Sequence, residues 1–271
     1  MKRAIAALVF VLSFVSAGAV YAGKVSLDPA HVRLEVLPGG STSGSLRVDN
    51  PSGEEVKIRV YLEDWRYSSC SDGSKEFFPP GTMPLSCAKW IDFSPAEFTI
   101  PPFGRQAINY TVRLPQDAKG GHFSVMFFET DMSESGGGDV ELDIKLKARL
   151  GALFVVEAKD SLACEAGLSG LTVSRDSGVF KIAGNFKNSG NTDIAPRITF
   201  DIIDPKGEVY ARGKFSDIFT LPQDECRIEA ETKEHLNEGE YILIITLNLG
   251  RGRPKVMEVP ISVGASSIKV N

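Results

Sequence analysis

Val56-Lys57-Ile58-Arg59-Val60-Tyr61-Leu62-Glu63-Asp64-Trp65 decides the fold. Val56, Ile58, Val60 and Leu62 fall on one face, and charged or aromatic residues fill the other. A period of two predicts a strand buried on one side. The same pattern runs on both sides of this stretch, punctuated by Gly, Pro, Asn and Asp clusters. Helical periodicity is absent beyond the first residues.

Upstream, strands are expected at 24–36, broken by Pro29 and ended by Pro38-Gly39-Gly40, and at 43–48, ended by Asn50-Pro51-Ser52-Gly53. Downstream they are expected at 90–100, at 106–114 (Ile108, Tyr110, Val112) and at 122–129 (Phe123, Val125, Phe127). The last runs over 140–156 with a bend at Gly151. Seven strands in this space predict an immunoglobulin-like sandwich. The second half repeats the count, with strands at 168–174, 179–187, 197–203, 209–215, 227–232, 241–247 and 255–263. The fold class expected is therefore all-β, with two tandem immunoglobulin-like β-sandwich domains after an N-terminal signal peptide. The boundaries expected are a signal peptide at 1–22, sandwiches at 23–158 and 159–264, and a C-terminal tail at 265–271. No long flexible linker stands at the junction near Ala158 to Ser161.

Lys2 and Arg3, an apolar run over 4–15 and Val20-Tyr21-Ala22 have the three-part layout of a secretory signal, with cleavage expected after Ala22. The run is short for a spanning helix of about 20 residues, so a retained anchor is the lesser reading. Removing the signal leaves 28 basic against 35 acidic residues, a net charge of −7. That acidity argues against a nucleic-acid partner, and no stable membrane insertion is expected of the mature chain.

Four cysteines, Cys70, Cys87, Cys164 and Cys226, suit disulfides in an exported chain. Their spacing favours Cys70 with Cys87 and Cys164 with Cys226. Zinc is the competing reading, but there is no C-x-x-C, and His31, His122 and His235 are scattered. No G-x-S-x-G, H-E-x-x-H or phosphate-cradling loop occurs. Glu63 and Asp64 are adjacent and read as solvated surface. Asp201 with Asp204, and Asp64 with Asp72, lack the dense oxygen run of a calcium loop. The Asn109-Tyr110-Thr111 sequon lies inside an expected strand. No enzyme activity and no cofactor or metal is expected.

Two features remain. Val140, Leu142, Ile144 and Leu146 alternate with Glu141, Asp143, Lys145 and Lys147, after a Gly-rich loop at 136–138. Such a row either faces the chain's own core or pairs with a partner strand by β-augmentation. His31, Arg33 and Arg149 are basic residues near the cleft between domains. They either hold a carboxylate or are simply solvated.

The first half resembles the N-terminal domain of periplasmic pilus-assembly (PapD-like) chaperones. The resemblance rests on Val25-Ser26-Leu27-Asp28, Leu46-Arg47-Val48-Asp49-Asn50-Pro51, Trp90-Ile91 with Ser94-Pro95, Ile100-Pro101-Pro102-Phe103-Gly104, Leu114-Pro115 and Gly120-Gly121-His122-Phe123. It implies a periplasmic location and an exported β-rich subunit as partner, with an usher or other envelope protein as a second. It also implies a donor strand at Val140, Leu142, Ile144 and Leu146. The family's carboxylate anchor, an Arg on the first strand and a Lys on the last, falls inexactly on His31 or Val32, with Arg33 adjacent, and on Arg149. The second half, through Phe186-Lys187-Asn188-Ser189-Gly190-Asn191 and Ile203-Asp204-Pro205-Lys206-Gly207, resembles generic bacterial Ig-like modules. The module order also resembles Gram-positive surface proteins. The alternative function is therefore a non-catalytic adhesive or structural module of the cell envelope, secreted or at the surface.

Overall fold

The computed structural model describes residues 25–131, 147–176, 178–234, 236–264 and 267–270. The expected signal peptide lies outside them. Among the described residues the first domain contains β1 (Ser26–Asp28), β2 (His31–Val36), β3 (Ser41–Asp49), β4 (Val56–Tyr67) and β5 (Lys75–Phe78). It continues with β6 (Ile91–Ser94), β7 (Glu97–Ile100), β8 (Arg105–Arg113), β9 (Gly121–Asp131) and β10 (Lys147–Ala158). One sheet has the order β1-β3-β8-β6 and the other β2-β10-β9-β4-β5, with β7 also on β4.

Two expected strands each divide in two. Pro29 separates β1 from β2, and Pro95 separates β6 from β7; in both cases the halves join opposite sheets. Proline has no N–H to give a ladder, so it marks the point where a strand changes sheets. β5 was not legible, because Lys75-Glu76-Phe77-Phe78 is short and does not alternate.

The second domain contains β11 (Ala166–Asp176), β12 (Val179–Asn188), β13 (Arg197–Ile203), β14 (Val209–Lys214), β15 (Glu225–Thr232), β16 (Gly239–Asn248), β17 (Lys255–Val263) and β18 (Ile268–Val270). Its sheets have the orders β11-β12-β15 and β14-β13-β16-β17-β18. β18 comes from the stretch expected as a tail. It pairs with β17, and Ile268 packs against the core.

Each sandwich has its own core. Leu46, Val48, Ile58, Ile100, Ile108, Met126, Phe128 and Phe154 are fully buried in the first, and Phe180, Ile182, Phe186, Phe200, Ile228 and Leu243 in the second. Each such side chain contributes roughly 1.5–3 kcal/mol of burial. A buried asparagine clamps a turn in each domain. Asn50 donates to the carbonyls of Glu54, Ile100 and Pro101 and accepts from Ser52. Asn188 donates to the carbonyl of Thr192 and accepts from Gly190 N–H.

The expected disulfide pairs need correction. Cys70 is bonded to Cys226, while Cys87 and Cys164 are free thiols. Short spacing favoured the other pairs, but packing overrides it. The turn after β4 carries Cys70 to the second domain, where Phe219 N–H donates to its carbonyl at 2.8 Å. Cys87 is sealed inside the first domain, its Sγ 3.0 Å from Ser124 Oγ. Burial pushes the Cys87 thiol up to about 12, so it stays protonated and inert near neutrality.

A candidate partner-binding cleft

The sheet that contains β9 is apolar on both faces. Met126 and Phe128 point into the sandwich core. Phe123, Val125 and Phe127 point the other way and form a separate cluster with Trp65, Val155 and Leu221 of the second domain. This second face floors the cleft between the domains. The alternation of Phe123, Val125 and Phe127 was readable, but not that both faces of β9 are covered.

The register builds the cleft row by row. Leu153 of β10 lies between His31 and Val125, and Val155 between Arg33 and Phe123. Arg149 lies beside Glu129, which in turn lies beside Arg59 of β4. His31, Arg33 and Arg149 therefore share the cleft face. Arg149 and Val155, the neighbour of Arg33, are nonetheless about 20 Å apart along β10, at ~3.3 Å per residue.

The two arginines have different surroundings. Arg33 bonds Glu157 at 2.5 Å and Asp193 of the second domain at 2.6 Å. Glu157 is fully buried and also takes Arg251 of the second domain at 2.7 Å and the Thr192 hydroxyl at 3.0 Å. A buried carboxylate is tolerable only when it is satisfied in this way, so Arg33 is committed to joining the domains. Arg149 lies over the rings of Phe127 and Phe77, 4.3 and 5.1 Å from their centroids, with Glu63 at 3.4 Å. It keeps substantial exposure at the cleft mouth. Nearby, Glu129 accepts from Lys147 at 2.7 Å and from the Tyr61 hydroxyl at 3.0 Å. The Lys147 hydrogen bond holds the Glu129 carboxyl below its ordinary range.

β10 is an incomplete edge. β9 pairs with it from Lys147 to Glu157, whereas β2 covers only Leu153 to Ala158. Among the described residues, the backbone from Lys147 to Ala152 has no strand on that side. Val140, Leu142, Ile144 and Leu146 lie outside the described residues.

Asp64, expected on the solvated surface with Glu63, is buried. It accepts from Thr82 N–H at 2.8 Å, Met83 N–H at 2.9 Å and the Ser86 hydroxyl at 2.5 Å. It orders the loop that walls the cleft. No sequence signal separated it from a surface carboxylate, because its partners arrive from a distant loop. Glu157 escaped notice for the same reason. No group of three or more metal-ligating side chains occurs among the described residues, and no helix there is long and apolar enough to cross a membrane.

The chain is similar to solved fimbrial chaperones. A chain from the chaperone–tip adhesin complex of CFA/I fimbriae biogenesis is 14% identical, with a TM-score of 0.49, covering 87% of this chain and 98% of that one. The class 5 fimbriae chaperone CfaA is 15% identical, with a TM-score of 0.47 over 89% and 99%. A chain of the CsuC–CsuE pre-assembly complex from Acinetobacter baumannii is 9% identical, with a TM-score of 0.43 over 87% and 98%. At these identities the likeness is one of fold. No family model and no curated protein matches the chain.

Proposed function

We propose that this is a periplasmic, non-catalytic chaperone-like protein that binds an exported β-rich subunit by lending it a strand. The observation that carries the reading is the half-covered edge of β10 from Lys147 to Ala152. Unpaired backbone N–H and C=O groups on an edge are a template for another strand. The apolar row supports it. Ala152, Phe154 and Val156 face the sandwich core, and Val140, Leu142, Ile144 and Leu146 share their parity. In the proposed complex, that row supplies the apolar side chains that enter the subunit. Facing a core and pairing with a partner are then one arrangement.

The anchor for a terminal carboxylate is Arg149, with His31 further along the same face. Arg33 serves the junction instead. A carboxylate reaching Arg149 exchanges with Glu63, whose contact is long at 3.4 Å.

Co-purification from periplasm tests this. The wild-type chain should bring down a β-rich subunit, and Leu142→Asp with Ile144→Asp should abolish capture without changing thermal stability. Arg149→Ala should weaken capture about tenfold, as expected for a charge-assisted hydrogen bond. An adhesive envelope module predicts the opposite: no β-rich partner and binding indifferent to both changes.

A further inference from the structure

The domains are fastened at two places on opposite sides of β9. One is beside the end of β10. There Glu157 gathers Arg33, Arg251 and Thr192, and Gly121 N–H donates to the Asn191 carbonyl at 2.7 Å. Asn191 also donates to the Ser161 carbonyl at 2.8 Å and accepts from Ala163 N–H at 2.7 Å. The chain itself crosses between the domains here.

The other place is the corner between β4 and β5. It includes the Cys70–Cys226 bond, the hydrogen bond from Phe219 N–H to the Cys70 carbonyl, and the tilted contact of Tyr67 with Phe219 at 5.9 Å. Between the two lies a cavity of about 570 Å³, walled by Trp65, Leu85 and Phe123 on one side and Leu221, Pro222 and Asp224 on the other.

We infer that Cys70–Cys226 is a thiol-sensitive latch that sets how far this inter-domain cavity opens. The inference stands whether or not the cleft takes a partner strand. The β10 side resists opening through a satisfied buried carboxylate, a bonded asparagine and the chain crossing. Among the described residues, the β4–β5 corner shows no buried carboxylate and no chain crossing. Besides the disulfide it has the Phe219–Cys70 hydrogen bond, the Tyr67–Phe219 contact, Gly73 close against the Phe219 ring and the apolar contact of Leu221 with Trp65. Breaking the S–S bond therefore lets the domains rotate about the β10 side.

The chemistry is directional. Cys70 is partly exposed, whereas Cys226 is 2% exposed. A dithiol reductant attacks Cys70 Sγ, the S–S bond breaks, and the electron pair leaves on Cys226, which takes a proton. The second thiol of the reductant then displaces Cys70 as a free thiol, and the reductant departs as its own disulfide.

The test uses the full chain with dithiothreitol as the probe. Thiol counting after unfolding should give two free thiols without the reductant and four with it. Reduction should raise the radius of gyration in small-angle scattering. It should also speed amide exchange at 65–78 and 216–224 by about tenfold, with 157–163 and 190–193 unchanged. Cys70→Ser with Cys226→Ala should reproduce the reduced state and no longer respond to dithiothreitol. Unchanged scattering and exchange after complete reduction would overturn the latch. So would exchange rising throughout β13 and β16, since the bond would then serve only to keep the second domain folded. Four free thiols before reduction would remove its basis.

Discussion

Glu157 shows how much one side chain can hold. It is fully buried, yet two guanidinium groups and a hydroxyl from both domains converge on it. Removing a carboxylate from such a cluster leaves the cations facing one another. Both arginines are about two-fifths exposed, so water relieves part of the cost. Glu157→Ala should lower stability by about 1–3 kcal/mol in urea denaturation. Arg149→Ala, with a more exposed partner pair, should cost well under that.

Tyr67, at the β4–β5 corner, gives a pH signature for the domain junction. Burial, reinforced by the negative charge of Asp193, pushes its phenol up to about 12. An acid whose folded value is raised adds stability that is complete below its unfolded value. For tyrosine that value is about 10, and the contribution is lost as pH climbs through the folded value. Urea midpoints should therefore fall between about pH 10 and about pH 12. Tyr67→Phe should make that fall shallower. An identical slope in both proteins would contradict this account.

Among the strands and turns, the legible parts are those where local chemistry dictates the result. β13 and β17 match their expected limits because turn residues bracket clean alternation. The turn after β13 forms as its sequence requires, with Asp204 accepting from the N–H groups of Lys206 and Glu208 and with Gly207 at φ +86°. What escaped depends on tertiary company. β5 exists because β4 offers it an edge, and Cys70 bonds Cys226 because a turn lies against another domain. The register brings His31, Arg33 and Arg149 to one face of their sheet, which alternation within single strands cannot establish, because it does not say which strands become neighbours. Which arginine was already spoken for depended on Glu157, which strand pattern alone treats as one more polar residue.

The turn before β9 is as constrained as any strand. Gly120 has φ +74°, and a Cβ there would sit 2.5 Å from the Asn191 carbonyl oxygen. Gly120→Ala should therefore cost about 1–3 kcal/mol in thermal or urea unfolding, from backbone strain and the forced retreat of Asn191. It should also raise amide exchange at 190–193. Unaltered stability would mean that the junction is looser than its hydrogen bonds suggest.

Taken together, the two sandwiches build one cleft. The first supplies an edge and a charged, aromatic face, and the second closes that face with Leu221 and secures it through Asp193 and Cys226. Neither domain alone presents the whole cleft.

The bond between Cys70 and Cys226 spans 156 residues of sequence. This sets a problem of order for a chain delivered N-terminus first. Cys70 emerges with Cys87 close behind it, long before its true partner arrives, and short loops close most readily. The defence lies in β9. Once it lays Ser124 against Cys87, that thiol is withdrawn from competition. Timely completion of the first sandwich therefore protects the later bond. Cys87→Ala should raise the yield of correctly bridged protein in oxidative refolding, and an unchanged yield would show that Cys87 never competed.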